Sequence, residues 1–147
     1  MSVTCGSASV PPSVVSHVSS DATTANNNTP AEVTLKTYAL TGSDTRYNRL
    51  VVQVSGSSQQ TAGGGASSLS RLLVYADAVE ASRDDNYLGG GNGTIYASHF
   101  TQAFLEAGTH YVKGAALTVT IRSFNELVGG GSSNTIYKNS VITGVNP

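Results

Sequence analysis

The chain has 147 residues, of which only 12% are Asp, Glu, Lys or Arg, and its formal net charge is -1. This length fits one domain with its own core, and the absence of a Lys/Arg cluster argues against a nucleic-acid partner. The single cysteine, Cys5, excludes an intrachain disulfide, and without a signal peptide or a run of 18 apolar residues we expect no membrane partner.

Residues 1–30 form the first predicted unit, an N-terminal arm. They are rich in Ser, Thr and Asn, include three of the four prolines and contain almost no large apolar side chain other than valine. Such a segment cannot offset the entropy cost of ordering by itself. We therefore expect it to be either disordered or extended along a neighbouring subunit. The residues predicted for this assembly interface are Val10, Pro11, Pro12, Val14, Val15 and Val18.

Residues 31–147 form the second predicted unit, a single β-domain. Alternating apolar and polar residues predict strands at 33–39 and 50–54. In the first of these, Leu35 and Ala39 share one face and Tyr38 lies on the other. The apolar run at 72–74 is predicted as a buried strand rather than a short helix, because loop residues bound it on both sides.

The second half of the domain continues as short strands. Asn92-Gly93 suits a turn that requires positive φ, with strands on both sides. Residues 100–105 fit either a helical turn or an irregular strand, and another short strand begins near Tyr111. Residues 117–122 alternate most cleanly. This alternation places Val119 and Ile121 in the core and Thr118 and Thr120 outside it.

Seven or eight short strands joined by Gly-rich turns predict the fold class. We expect an all-β fold, an antiparallel β-sandwich or jelly roll, with an extended N-terminal arm. The glycine loops at 63–65, 89–93 and 129–131 lack the lysine of a phosphate-binding loop and do not open a helix. They are interpreted as turns, and no cofactor is expected.

The densest group of oxygen ligands in the sequence is acidic, and calcium is the metal that it would suit. Its spacing matches no EF-hand, and Arg83 within it is available to pair with a carboxylate. The sequence therefore favours a solvated loop with local ion pairs, and no metal site is predicted. The group consists of Asp77, Glu80, Asp84, Asp85 and Asn86.

Histidine and serine give no catalytic pattern. His17, His99 and His110 are far apart and lack zinc-site spacing, so they are predicted to be surface or turn residues. A Ser-His-Asp set can be assembled on paper in so serine-rich a chain. The G-x-S-x-G pattern of a nucleophile elbow is absent, however. No catalytic residue is predicted, and the protein is not expected to be an enzyme.

Carbohydrate binding is the alternative function. Tyr87 follows Asp85 and Asn86, and an aromatic ring beside such polar side chains is a common sugar platform. The chain has seven tyrosines but no tryptophan, and tyrosines also serve at the edge of a core with a solvated hydroxyl. A lectin or adhesin module, with an extracellular location, is kept as an alternative on these three residues.

Three parts of the sequence carry a family resemblance: the arm from Met1 to Pro30, the segment LTGSDTRYNRLVVQVSG at 40–56, and FLEAGTHYVKGAALTVTI at 104–121, where a glycine turn leads into strands. Together they resemble the small β-sandwich virion proteins of tailed bacteriophages, which include capsid decoration or cement proteins and the tip domains of head and tail fibres.

This resemblance implies a structural rather than catalytic role. It implies assembly in the host cytoplasm, a symmetric homo-oligomer, and contacts with other capsid or tail proteins in the virion. The arm is then the segment that contacts the shell or a neighbouring subunit.

Overall fold

The structure is a computed structural model that describes residues 14–19, 25–27, 31–62, 67–89, 93–129 and 131–147. Within those ranges no helical segment has the length and hydropathy that a transmembrane helix requires. The described chain consists of strands, turns and loops. In chain order the strands are β1 (Val14–Ser19), β2 (Ala25–Asn27), β3 (Val33–Leu40), β4 (Arg49–Ala62), β5 (Ser67–Ala76), β6 (Val79–Gly89), β7 (Gly93–Glu106), β8 (Leu117–Val128) and β9 (Gly131–Val145).

The strands form two antiparallel sheets that pack face to face. Sheet A has the order β1-β9-β4-β7, with β2 also paired to β9, and sheet B has the order β3-β8-β5-β6. From β2 to β9 the chain changes sheet at every connection except the β5–β6 hairpin. The predicted all-β antiparallel sandwich is therefore confirmed.

The apolar core fills one half of the space between the sheets. It is built from inward-facing positions that alternate along each strand, as the period of two requires. Val119 and Ile121 of β8 are fully buried, as predicted. The main side chains of this core are Tyr38, Leu40, Tyr47, Leu50, Val52, Val54, Leu72, Val74, Leu105, Leu117, Val119, Ile121, Tyr137 and Ile142.

One prediction about side-chain direction and one about exposure are wrong. A bulge between Thr34 and Lys36 inserts one extra residue into β3, which reverses the alternation beyond it. Leu35 and Tyr38 therefore both contact the core, while Ala39 is exposed. Thr120 was expected outside the core, yet it is only 8% exposed, because it lies between Thr37 and Tyr75 on the neighbouring strands.

Two predictions about local structure are settled by the pairing. Residues 72–74 lie in β5, as favoured, and residues 100–105 lie in the regular strand β7 rather than in a helical turn. Gly93 has φ of 112° where β7 begins, which agrees with the predicted turn. The strand expected at Tyr111 is absent there, because this residue lies in the β7–β8 loop and its hydroxyl donates to the Tyr47 carbonyl at 2.6 Å.

The N-terminal segment contributes two strands to sheet A. Backbone pairing joins β1 and β2 to β9 of the same chain, so they cover the edge of β9 that faces away from β4. Val14, Val15 and Val18 lie within β1. The other residues of the predicted assembly interface, Val10, Pro11 and Pro12, lie outside the described residues, as do Gly63–Gly65.

Candidate functional site

The second half of the sandwich interior is polar. The inward alternation of β4 continues from Val52 and Val54 to Ser58 and Gln60 without a change of period. The space between the sheets therefore has an apolar half and a polar half. The buried polar side chains of the polar half are Ser58, Gln60, Ser68, Ser70, His99, Thr101, Ser123, Asn125, Thr135 and Ser140.

A Ser–His–Asp hydrogen-bonded group lies in the polar half. His99 of β7 is 1% exposed, and its Nε2 lies 3.0 Å from the Ser70 Oγ of β5. Its Nδ1 lies 2.7 Å from the Asp84 Oδ2 of β6. The prediction that His99 is a surface or turn residue is wrong. The sequence contains a signal that could have corrected it. His99 and Leu105 are an even number of positions apart, so the alternation of a strand places both on the inward face of β7.

Burial sets the protonation of His99. Removal from water lowers the pKa of His99 below its ordinary value of 6.5, while the hydrogen bond and charge of Asp84 and the charge of Asp85 act in the opposite direction. His99 is therefore neutral at neutral pH. Its Nδ1–H then donates to Asp84, and its Nε2 accepts the hydroxyl proton of Ser70.

The triad-like group is placed for structure rather than for attack on a substrate. Ser70 is fully buried, and its Oγ also lies 2.7 Å from the Thr135 Oγ1. A nucleophilic serine needs a face open to the reacting carbon. Here both sides of the hydroxyl contact other side chains, so the group joins β5, β6, β7 and β9 through one polar network.

Asp84 and Asn86 also cover the outer edge of β7, the end strand of sheet A. The Phe100 amide donates to the Asp84 Oδ2 at 3.3 Å, and the Asn86 Nδ2 donates to the Ser98 carbonyl at 2.8 Å. These contacts satisfy backbone groups that an end strand otherwise leaves open. Asp84 and Asn86 therefore join the edges of the two sheets.

The predicted sugar-binding residues do not converge on one point. Asn86 is directed towards β7, whereas Asp85 accepts from the Arg71 Nε at 3.1 Å on the outer surface of sheet B. Tyr87 is 77% exposed. It lines a depression of about 370 Å³ at the end of sheet B, together with Leu69 and Glu126.

The acidic group seen in the sequence is likewise dispersed, and the prediction that it forms a loop is wrong, because all its members except Asp77 lie in β6. Arg71–Asp85 and Arg83–Glu80 are ion pairs at 3.1 and 3.7 Å, and Asp84 faces His99. Over the described ranges, no set of three His, Cys, Asp or Glu side chains lies close enough together to hold a metal ion.

The outer surface of sheet A is a second candidate site, which we call the neutral face. Three aromatic side chains of β7 point outward at every fourth residue: Tyr96, Phe100 and Phe104 are 69%, 57% and 49% exposed. Beside them runs the outward side of β4. The neutral face comprises Val51, Gln53, Ser55, Ser57, Gln59, Tyr96, Ser98, Phe100, Gln102, Phe104, Asn139 and Val141.

Charge is nearly absent from this face. Strand β9 adds the exposed Lys138, next to Asn139. The only Lys, Arg, Asp or Glu side chains of β4 and β7 are Arg49 and Glu106. They lie at one end and pair at 2.5 Å, with the Arg49 guanidinium 5.4 Å from the centre of the Phe104 ring. The outer surface of sheet B differs, since it carries the Arg71–Asp85, Arg83–Glu80 and Arg122–Glu32 pairs.

Four of the polar side chains of the neutral face bond to each other in pairs. Gln53 Nε2 donates to the Gln102 Oε1 at 2.9 Å, and Ser55 Oγ donates to the Asn139 Oδ1 at 2.5 Å. The face therefore presents aromatic rings between paired polar groups. Sequence patterning could not find it, because Phe100 and Phe104 resemble core residues until the direction of β7 is known.

No protein family model matches this chain, and no curated protein is significantly similar to it.

Proposed function

We propose that this protein is a non-enzymatic structural component of a virion, of the capsid decoration or cement type or the fibre type. In this proposal it is a homo-oligomer that assembles in the host cytoplasm through its N-terminal arm, and it contacts other capsid or tail proteins. The observation that carries the proposal is the pairing of β1 and β2 with β9.

The pairing supports strand exchange between copies. β9 lies between β4 and the arm strands, so β9 would be an end strand of sheet A without them. Backbone hydrogen bonds to an end strand do not depend on whether the added strand belongs to the same chain. The arm of one copy can therefore occupy the β9 edge of its neighbour and join the two domains.

The strand order gives further support. Sheets ordered β1-β9-β4-β7 and β3-β8-β5-β6, with a chain that alternates between them, follow the jelly-roll arrangement. That arrangement is frequent among capsid and lectin domains, so it favours the proposal without being specific to it. The burial of Ser70 and of its partner His99 supports a non-enzymatic role.

Deletion of residues 1–29 tests the proposal. We expect the truncated chain to stay folded, because the apolar core is built from β3 to β9, and to lose the oligomeric mass of the full chain in light scattering. A synthetic peptide of residues 1–29 should bind the truncated domain, whereas a peptide with Asp at 14, 15 and 18 should not.

The matched control is removal of two residues from 63–65, which should leave the mass unchanged because glycines offer little side-chain surface. A truncated chain with the full oligomeric mass would show that the arm is not the assembly element.

Carbohydrate binding remains the second candidate, and exposed Tyr87 favours it. Its ring borders the depression that Leu69 and Glu126 also line, which brings apolar side chains and an acidic residue together. If the depression binds a sugar, Tyr87→Ala should weaken binding at least about 10-fold in glycan titration. Tyr96→Ala, on the opposite sheet, is the control. Absence of binding to any glycan tested by the parent protein would remove this candidate.

A further inference from the structure

The neutral face has a ridge beside a flat strip. The ridge is the row of Tyr96, Phe100 and Phe104 on the end strand β7. The strip is the outward side of β4. Its side chains are smaller or more flexible than the aromatic rings beside them. In the antiparallel register Val51 is opposite Phe104, Ser55 is opposite Phe100, and Gln59 is opposite Tyr96.

The chemistry of this face fits a protein partner better than a sugar. The two phenylalanine rings carry no polar atom, and about half of each is exposed. Four of the amide and hydroxyl side chains beside them already bond within the pairs Gln53–Gln102 and Ser55–Asn139. A sugar brings many hydroxyls that need new partners, whereas another apolar sheet surface does not.

We propose that the neutral face binds the neutral face of a second copy of this chain. A two-fold axis brings a surface against itself, so such a surface must be complementary to itself. With the ridge and strip side by side, a two-fold rotation lays the ridge of each copy on the strip of the other. β4 and β7 carry no Lys, Arg, Asp or Glu side chain beyond the Arg49–Glu106 pair at one end, so like charges do not meet where the ridge and the strip cross the axis. The exposed Lys138 is on β9, outside both the ridge and the strip.

The size of the face agrees with this occupant. Strands β4, β7 and β9 have 14, 14 and 15 residues. At ~3.4 Å per residue and ~4.8 Å between strands the whole outer surface of these strands covers about 700 Å², and the neutral face at 51–59, 96–104 and 139–141 covers about 340 Å² of it. A contact that buries the neutral face and part of the surrounding surface is smaller than the ~800 Å² per partner of a standard interface, which fits a weak and reversible dimer. The ion-paired outer surface of sheet B offers no comparable neutral area.

This contact is separate from the arm. The arm strands add to the edge of β9, whereas the neutral face is the outer surface of β4 and β7 and the adjoining part of β9. The inference rests on the proposed assembly role only in that both concern association between copies. Because the arm can hold copies together by itself, the test is made on the full-length chain and on the chain that lacks residues 1–29, whose core strands β3 to β9 are intact.

The test compares Phe100→Lys with Tyr87→Lys by sedimentation equilibrium. Both substitutions add one positive charge at an exposed aromatic residue, but Tyr87 lies on sheet B. We expect Phe100→Lys to raise the dissociation constant at least ~30-fold, because an aromatic anchor at an interface centre becomes a buried charge. Tyr87→Lys should change it less than about 3-fold. Melting temperatures of the two variants should match that of the parent protein.

If Phe100→Lys lowers the melting temperature, Phe100→Ser replaces it with the same expectation, since serine adds no charge. A parent protein that stays a single chain at every concentration overturns the inference, and so does unchanged association in the Phe100 variants. In the latter case, loss of association on deletion of residues 1–29 would leave the arm as the assembly element. Association that survives both changes would overturn the role of the arm as well.

Discussion

Val119→Asp is expected to leave most of the chain unfolded at neutral pH. Val119 is fully buried in the apolar core, in register with Tyr38 on β3 and Ala76 on β5. An aspartate there removes apolar contacts and buries a carboxylate without a partner, which costs about 4 kcal/mol or more. Since domains of this size are stable by about 5–15 kcal/mol, far-ultraviolet circular dichroism and urea denaturation should reveal the loss.

The matched control is on the adjacent residue. Thr118 is exposed and its backbone amide donates to the Asp77 Oδ1 at 3.0 Å, so an aspartate there would meet a like charge. Thr118→Asn and Val119→Asn avoid this problem. We expect the first to change the free energy of unfolding by less than about 1 kcal/mol and the second by about 3 kcal/mol. Equal losses would contradict the observed register.

The alternation of β8 alone would have suggested Thr120 as the control position for Val119, and Thr120 is a poor choice. The alternation places Thr118 and Thr120 on the same outward side of β8, which is correct for direction. However, the Thr120 hydroxyl is buried and has no hydrogen-bond partner within the described structure. Substitution of Thr120 by Asp is therefore expected to be costly. A period of two reports which way a side chain points, but the side chains of the neighbouring strands decide whether water reaches it.

The β-sandwich was predictable because its evidence is local. Short alternating segments and glycine turns require only a few consecutive residues, and they identified the positions of β4, β5 and β8. The bulge in β3 was not predictable in this way. It depends on how Thr34 and Lys36 pair with β8, which lies more than 80 residues further along the chain.

The polar network was not predictable for the same reason. Ser70, Asp84 and His99 belong to three strands and have no common sequence spacing, so only the packing of β6 against β7 brings them together. Burial of His99 changes its effect on stability. A surface histidine has little effect on how the free energy of unfolding varies with pH, whereas a buried histidine makes that free energy depend on pH.

Acidification from pH 7 to pH 5 is therefore expected to destabilise the domain through His99. Its pKa in the folded state lies below 6.5, chiefly because of burial. Below pH 6.5 the unfolded chain binds a proton that the folded chain does not, so stability falls by up to ~1.4 kcal/mol per pH unit. This stability is fully present above pH 6.5 and is lost as the pH falls to the folded pKa. Most carboxyl groups titrate lower, near pH ~4.

His99→Gln should abolish this slope in urea denaturation series, because the titrating group is gone. At pH 8 it should cost about 2–3 kcal/mol, since Asp84 loses the imidazole partner. His110→Gln removes an imidazole from the β7–β8 loop and should keep the slope. Asp84→Asn removes the charge that opposes the effect of burial, so the loss should extend to lower pH.

The opposite slope would assign a different proton arrangement to the network. If stability rises as the pH falls from 7 to 6, His99 is an imidazolium paired with Asp84. Its Nε2–H then donates to Ser70, and Ser70 donates to Thr135. Thr135 in turn donates to the Asn125 Oδ1 at 3.1 Å. In that arrangement each hydroxyl has one acceptor, so the Coulombic and hydrogen-bond gain would exceed the cost of burying the charge. Because the two arrangements give slopes of opposite sign, the pH series on the parent protein and His99→Gln decides between them.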